Sequence, residues 1–311
     1  MVMKMQMQNI HIYPTYRCNM DCLFCISGGK KRAERMKDLT VTEVIECLEE
    51  AGVGKGSTVI YSGGEPTIYK DIIYLIRYAS EKGAKVRLLT NCIKFADFSF
   101  ALQAVKAGMT GVATNFYGHD KETYEYLTQS KGTWKKLIKA VDNLFILKNE
   151  YGYPLYIELK ILVTRPVMTH IPELVEFIST RFPKPDLLGI FGASVQGSLR
   201  DNKEEISCRI SEAAPYVKQG IEMGRKYGQN IRVFDIPPCV LKDPEYFRYF
   251  HSLHNYYINR QFTPKWSSKN KKFDVIKGPQ CEQCSLYSRC SGVRKEYARE
   301  YGFEELKPII D

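Results

Sequence analysis

Ile10-His11-Ile12-Tyr13-Pro14-Thr15-Tyr16-Arg17-Cys18-Asn19-Met20-Asp21-Cys22-Leu23-Phe24-Cys25 carries a β-branched and aromatic segment straight into three cysteines, separated by three and then two residues. The first half, Ile10–Thr15, has the composition of a strand. Five further strand segments follow: Thr58–Ser62, Lys85–Thr90, Gly111–Asn115, Leu155–Val163 and Leu187–Phe191. Helical patterns lie between them at Thr42–Ala51, Lys70–Lys82, Phe98–Ala107, Thr133–Lys148 and Ile171–Thr180. Thr40 or Thr42 supplies an N-cap, and Gly52, Gly83 and Gly108 follow helix ends.

Strands alternating with helices predict an α/β fold, a parallel sheet with helices outside. Six strands are too few for a full eight-stranded barrel. The expected architecture is therefore a partial (β/α)6, TIM-like barrel with a small C-terminal extension. Further on, Glu204–Tyr227 reads as one long helix and Ile231–Ile236 as another strand, closed by Pro237-Pro238. Composition shifts near residues 193–203, so a core over 1–200 and a C-terminal region over 201–311 are expected.

The 311 residues are 44% hydrophobic and 26% charged, which excludes a disordered or collagen-like chain. No apolar run approaches the roughly 18–20 residues of a membrane span. The start, Met1-Val2-Met3-Lys4-Met5-Gln6, lacks a secretory signal, so a cytoplasmic protein without membrane contact is expected. Lys+Arg exceed Asp+Glu by 45 to 35, a net +10 suited to an anionic substrate, an acidic redox partner or nucleic acid. The basic residues are dispersed, with short runs only at Lys30-Lys31-Arg32 and Lys269-Asn270-Lys271-Lys272, so nucleic acid is the weaker reading.

Ten cysteines in a reducing compartment point to metal ligation or catalysis. Cys18, Cys22 and Cys25 follow the first strand, where a parallel α/β fold places its chemistry. Three thiolates can hold three corners of a 4Fe–4S cluster, whereas full protein ligation uses four. A structural zinc site also closes with four ligands. His11 would be the nearest fourth, but it lies inside the strand.

The cysteine triplet resembles the C-x3-C-x2-C of the radical S-adenosylmethionine (radical SAM) superfamily, whose fold is a (β/α)6 partial barrel. Ser62-Gly63-Gly64-Glu65-Pro66, ending the second strand, matches that superfamily's GGEP motif. Its two glycines permit close backbone approach to a ligand, and Glu65 is placed to help hold the methionine ammonium. Leu88-Leu89-Thr90-Asn91-Cys92 sits where the family's third strand ends in Thr-Asn-Gly. Asn115-Phe116-Tyr117-Gly118 resembles the Ser-x-x-Gly turn near the ribose, with Asn115 in place of Ser and Tyr117 in place of a common acid. The resemblance puts Phe24 near the adenine. It implies SAM chelated at the open iron, a one-electron cleavage to methionine and a 5′-deoxyadenosyl radical, and hydrogen abstraction from a substrate.

Cys281-Glu282-Gln283-Cys284-Ser285-Leu286-Tyr287-Ser288-Arg289-Cys290 resembles the core of the SPASM and shorter twitch extensions, which carry auxiliary clusters. Cys239, after Pro237-Pro238, is the expected fourth ligand of a second 4Fe–4S cluster. A four-cysteine zinc knuckle fits the same spacing. Full SPASM would continue with another cysteine; none follows Cys290, so the twitch type fits better.

Among the remaining cysteines, Cys47 and Cys208 read as small buried residues within helices. Cys92 sits at a strand end facing the expected site and is the candidate hydrogen-atom donor to a substrate radical. Lys160, inside the fifth strand, is placed to point into the barrel. Families of this shape modify peptides or oxidise small molecules, and a flavodoxin- or ferredoxin-type donor is implied. Only about nine residues precede the first strand, which lowers the peptide reading. Molybdenum-cofactor biosynthesis enzymes share this layout, but Pro308-Ile309-Ile310-Asp311 stands where their Gly-Gly tail is expected. The alternative is a zinc- or cluster-bearing scaffold that binds nucleic acid without catalysis.

Overall fold

The computed structural model describes residues 8–29, 33–242, 244–250, 258–262, 267–271 and 274–310. The basic run Lys30-Lys31-Arg32, Lys272 and the first seven residues lie outside them. Seven strands pair in parallel and in sequence order: β1 (Gln8–Thr15), β2 (Ser57–Gly63), β3 (Lys85–Leu89), β4 (Met109–Phe116), β5 (Tyr156–Val163), β6 (Leu187–Gly192) and β7 (Ile231–Phe234). Each parallel crossover has the same hand. Sequential winding therefore puts the helices on one face and leaves the other as the lumen of an open barrel. Helices α1 (Val41–Glu50), α2 (Ile72–Glu81), α3 (Phe98–Lys106), α4 (Lys121–Thr128), α5 (Thr133–Asn149) and α6 (Ile171–Arg181) supply the outer layer.

The two faces are visible in β5. Ile157, Leu159, Ile161 and Val163 are buried under the helices, while Tyr156, Glu158, Lys160 and Leu162 are partly exposed. The helices answer with residues three and four apart, such as Leu137, Ala140, Val141 and Leu144 of α5 and Leu174, Val175 and Ile178 of α6, all fully buried. Each such Leu or Ile contributes about 1.5–3 kcal/mol. Lys160 does point to the lumen: its Nζ is 3.4 Å from Glu158 Oε1 and 4.9 Å from the Phe191 ring centroid.

The expected parallel α/β sheet is present, and the strand expected over Ile231–Ile236 appears as β7. β7 adds to β6, and β8 (Ile258–Phe262) pairs in parallel with β1 at the other edge, followed by antiparallel β9 (Ser267–Lys271). The expected helix over 204–227 is also broken. A short turn of helix, Lys203–Ile206, stops at Ser207, and α7 (Ile210–Lys226) starts afresh and packs on α6. Cys208 lies in that break, not inside a helix, and is buried there. A separate hairpin, β10 (Val275–Ile276) with β11 (Val293–Arg294), leads into α8 (Lys295–Tyr301). Among the described residues no helix is long and apolar enough to cross a membrane.

Candidate active site

Beyond β1, the chain from Thr15 to Cys25 is clamped by backbone hydrogen bonds on three sides. From the β2 turn, Gly64 N donates to Thr15 O (3.0 Å) and Glu65 N to Arg17 O (2.8 Å). On the α4 side, Asp21 N donates to Thr128 O (3.2 Å) and Leu23 N to Leu127 O (3.0 Å). Past β6, Ser198 N donates to Cys25 O (2.9 Å) and Asn202 Nδ2 to Leu23 O (3.0 Å). The first strand delivers the loop, and three neighbouring elements fix its course.

The same geometry accounts for Gly63 and Gly64. A Cβ on Gly64 would lie 2.1 Å from Arg17 O, and one on Gly63, whose φ is +115°, would lie 2.5 Å from Thr15 O. In the direction of a Cβ, both glycines are approached by the backbone of the cysteine loop. Pro66 opens a single 3-10 turn, Pro66–Ile68, and is buried beneath it.

Glu65 is fully buried and already committed to the protein. Its Oε1 accepts Thr67 N (2.9 Å), Thr67 Oγ1 (2.5 Å) and Thr90 Oγ1 (2.7 Å), while Oε2 accepts Asn91 N (2.7 Å). Burial pushes its pKa up, against the pull of these donors. Asn91 in turn donates through Nδ2 to Asn19 Oδ1 at 2.6 Å, with Cys18 Sγ 3.9 Å away. The second and third strand ends thus reach the first cysteine through one chain of bonds.

Cys18 and Cys22 share this loop in a desolvated setting. Burial pushes the Cys18 thiol up to about 12 and also raises that of Cys22 well above the usual thiol value, with the neighbouring sulfurs adding to the effect. Such thiols ionise when a metal takes the proton's place. Thiolates suit zinc or iron–sulfur clusters. Among the described residues, no three His, Cys, Asp or Glu side chains gather at the spacing of a single ion.

The aromatic residues of these motifs pack against one another. Phe24 is buried, its ring 4.4 Å from that of Tyr117, which stacks on Tyr124 at 6.0 Å. Asn115 sits opposite Lys160 on β5, in the strand row that faces the lumen. Cys92 does not face the lumen as expected. Its thiol is fully buried in the hydrophobic core next to Thr114, and its backbone is left-handed, with φ +71°.

The second cysteine group is brought together from distant sequence. Cys239, Cys281, Cys284 and Cys290 line one cavity of about 380 Å³, including its open mouth. Burial, then the neighbouring Cys290 and Cys281, pushes the Cys239 thiol up to about 12. Backbone amides point at two of the sulfurs: Gly292 N lies 3.3 Å from Cys290 Sγ and Ile309 N 3.5 Å from Cys284 Sγ. Arg294 ties this region to the barrel through Asp235, with Nε to Oδ1 at 2.7 Å and Nη2 to Oδ2 at 3.0 Å.

Sequence reasoning missed α4, Tyr124, Thr67, Ser198 and the Asp235–Arg294 pair. Only α4 left a signal: Asp120 is an N-cap, its Oδ1 accepting Thr123 N at 2.7 Å. The others act through positions that no short motif encodes.

Residues 12–154 match the family model described as the Radical SAM superfamily. A probable GTP 3′,8-cyclase of Methanopyrus kandleri is 28% identical over 174 residues, 55% of this chain and 52% of that protein. An Fe-coproporphyrin III synthase of Methanosarcina barkeri is 28% identical over 129 residues, 42% of this chain and 32% of that protein. The chain thus spans about half the length, or less, of these curated relatives, whose names are those of enzymes. Among solved structures, Streptococcus suis SuiB bound to S-adenosylmethionine superposes with a TM-score of 0.64 at 16% identity, covering 98% of this chain and 76% of that one. The FeFe-hydrogenase maturase HydG of Carboxydothermus hydrogenoformans gives a TM-score of 0.56 at 10% identity, covering 89% of this chain and 65% of that one. These two likenesses show the shared fold. The stretch of this chain that is similar to the Radical SAM superfamily, residues 12–154, includes the three-cysteine loop and the Gly-Gly-Glu-Pro turn.

Proposed function

We propose that this chain is a radical SAM oxidoreductase that removes a hydrogen atom from a peptide or small-molecule substrate. The observation that carries the reading is the loop of Cys18, Cys22 and Cys25, pinned at the C-terminal end of the parallel sheet by the Gly63–Pro66 turn and joined to Asn91 through Glu65. When bound there, a 4Fe–4S cluster and SAM supply reductive cleavage of the sulfonium and a 5′-deoxyadenosyl radical. The protein's own residues hold, orient and exclude water. Cys18, Cys22 and Cys25 provide three thiolates. Phe24, Asn91 and Asn115 border the space where the nucleoside would lie, and Glu65 acts on it through Asn91. Cys92 serves packing in this account.

The same proposal assigns residues 1–200 to the core and 201–311 to a twitch-type region with a second 4Fe–4S cluster on Cys239, Cys281, Cys284 and Cys290. The division is one of chemistry, since β7 and α7 continue the barrel. Four cysteines around one cavity support this cluster, as full ligation needs four. A cytoplasmic setting suits seven reduced thiolates. The net charge of +10 suits an acidic electron donor of the flavodoxin or ferredoxin kind.

Anaerobic reconstitution tests the reading. About eight irons per chain and SAM-dependent release of 5′-deoxyadenosine are expected. Changing Cys18, Cys22 and Cys25 together to Ala should abolish 5′-deoxyadenosine and leave about half the iron. Continued release would overturn the assignment, and stoichiometric zinc in a colourless protein would favour the scaffold reading. Deuterated peptides, small alcohols and GTP, the last prompted by the names of the cyclase relatives, identify the hydrogen donor by label in 5′-deoxyadenosine.

A further inference from the structure

In the lumen, two charged side chains of β5 stand together with their hydrogen-bonding capacity unused. Lys160 Nζ and Glu158 Oε1 are 3.4 Å apart, and only 18% and 16% of the two side chains are exposed. A charge-assisted hydrogen bond closes to about 2.7–2.9 Å, so this is a loose ion pair. Among the described residues the Lys160 ammonium donates no hydrogen bond and the Glu158 carboxylate accepts none. Covered charges in folded proteins are ordinarily both paired and hydrogen-bonded. Along the strand rows, Ala113 and Leu187 flank Glu158, while Asn115 and Gly189 flank Lys160. A Cβ on Gly189 would lie 2.4 Å from the Phe191 ring, so the glycine makes room for that ring. Phe191 lies parallel to Phe234 at 4.2 Å and has the Lys160 nitrogen 4.9 Å from its centroid, which holds the ammonium against an aromatic wall. Beyond Gly189 in the same row stands Arg232, which donates to Ile231 O at 2.9 Å and forms no ion pair among the described residues.

We infer that Lys160 and Glu158 receive a free α-amino acid in the lumen, its carboxylate on the Lys160 ammonium and its ammonium on the Glu158 carboxylate. The inference rests on the proposed function and narrows its substrate to this class. A plain anion would meet Lys160 with a carboxylate 3.4 Å away, and a plain cation would meet Glu158 with the ammonium equally near. An α-amino acid carries both charges on one carbon and sets each of the four groups against its opposite. The interior of a peptide offers neither charge, and its two termini are held apart by its backbone. Arg232 adds a second cation on the carboxylate side. Asn115, which borders the proposed nucleoside space, stands one strand from Lys160, a spacing of about 4.8 Å. An amino acid held by the pair is therefore next to that space. Lys160 and Glu158 bind and orient in this account, and neither transfers a proton.

The test is isothermal titration of the full chain, reconstituted and kept anaerobic, with each of the protein L-amino acids. Any that binds is then compared with its N-acetyl and carboxamide derivatives. Saturable binding of an amino acid is expected, weakened about tenfold to a hundredfold when either end is blocked. Glu158→Gln should erase the preference for the free amino acid over its N-acetyl form, and Lys160→Met the preference over its carboxamide. A purely structural pair would lower thermal stability in these variants and leave both preferences as they were. The comparison of blocked and free forms on the unaltered chain decides the matter even where a variant fails to fold. Binding of no amino acid, equal binding of blocked and free forms, or binding of succinate or a terminally blocked peptide instead would overturn the inference. Binding is read without turnover, so the two readings fail separately. A chain that binds an amino acid and releases no 5′-deoxyadenosine would remove the proposed function and leave this site standing, whereas release without amino-acid binding would remove the site alone.

Discussion

The carboxylate of Glu65 accepts the backbone N–H of Asn91 at 2.7 Å, joining the end of the second strand to the end of the third. Because Asn91 also reaches Asn19 beside Cys18, the acid governs where the first sulfur stands. Its burial leaves little room for direct ligand contact, so its influence on a bound nucleoside runs through the residues it holds.

Glu65→Gln separates that positioning role from shape. The amide oxygen can still accept Thr67 N, but its NH2 opposes the N–H of Asn91. One buried donor is left unpaired, at a cost of about 1–3 kcal/mol. Urea denaturation should show that loss, and iron retention after gel filtration should fall with it. Unchanged stability and iron would mean that Asn91 is held by other contacts.

The two glycines before Glu65 make a sharper distinction. In Gly64→Ala the new Cβ meets backbone oxygens of Arg17 and Tyr16 at 2.1 and 2.4 Å, atoms that move only if the cysteine loop moves. A loss of about 3 kcal/mol, the upper end for overpacking, and failure of cluster assembly are expected. Gly52→Ala is the control: its φ is +71°, yet a Cβ there meets nothing within 4 Å. That change should cost only the left-handed penalty of about 1–2 kcal/mol, with cluster assembly intact. Comparable iron loss in both variants would remove the close-approach argument.

Much of this arrangement was legible because period and punctuation agree. Alternating apolar residues in β5 and the three-and-four spacing in α5 specify strand and helix directly, and the cysteine spacings mark both candidate metal sites. The rest depends on tertiary context. The helix expected over 204–227 breaks at Ser207–Arg209 although nothing local demands it; the buried Cys208 and the packing of α7 on α6 accompany the break. A Gly-Gly pair does not say in sequence which backbone presses on it, and here the position of Arg17 O supplies the answer. Cys92 follows a strand end, where a residue is expected to face the site, yet its backbone is left-handed and its thiol lies in the core.

That orientation of Cys92 predicts indifference in the chemistry. Cys92→Ala keeps the left-handed backbone cost, whereas Cys92→Gly relieves it and loses the buried thiol, so the two should differ in stability by about 1 kcal/mol. Both should release 5′-deoxyadenosine and form product at rates within a few fold of the unaltered protein. Abolished product with normal SAM cleavage in both variants would restore Cys92 as the hydrogen-atom donor.

Thiol burial gives a pH signature to the metal-free chain. Cys18 and Cys239 are each raised from 9.0 to about 12, so between these values the unfolded chain gives up protons that the folded chain keeps. Stability conferred by the protonated thiols is full below pH 9 and is lost as pH rises toward 12. Chemical denaturation of metal-free protein between pH 8 and 10 should show the onset of that decline. In the loaded protein these sulfurs are already thiolates, and the decline should be absent. Equal pH profiles with and without metal would count against ligation by these residues.

The pairing of Asp235 with Arg294 supplies the last test, because it couples the barrel to the second cysteine group. Asp235 follows β7 and stands four residues before Cys239, while Arg294 stands four residues after Cys290. Their bidentate contact is nearly buried, with 7% and 17% of the two side chains exposed. Arg294→Gln leaves the carboxylate without its charge partner, at a cost of about 3–5 kcal/mol for a buried pair. If the contact holds Cys239 against the Cys281–Cys290 loop, the iron lost should be that of the second site alone, and SAM cleavage at the first should persist. The double change Asp235→Asn with Arg294→Gln removes both charges and should recover part of the stability. Loss of SAM cleavage in parallel with the second-site iron would show instead that the pair supports the whole barrel mouth.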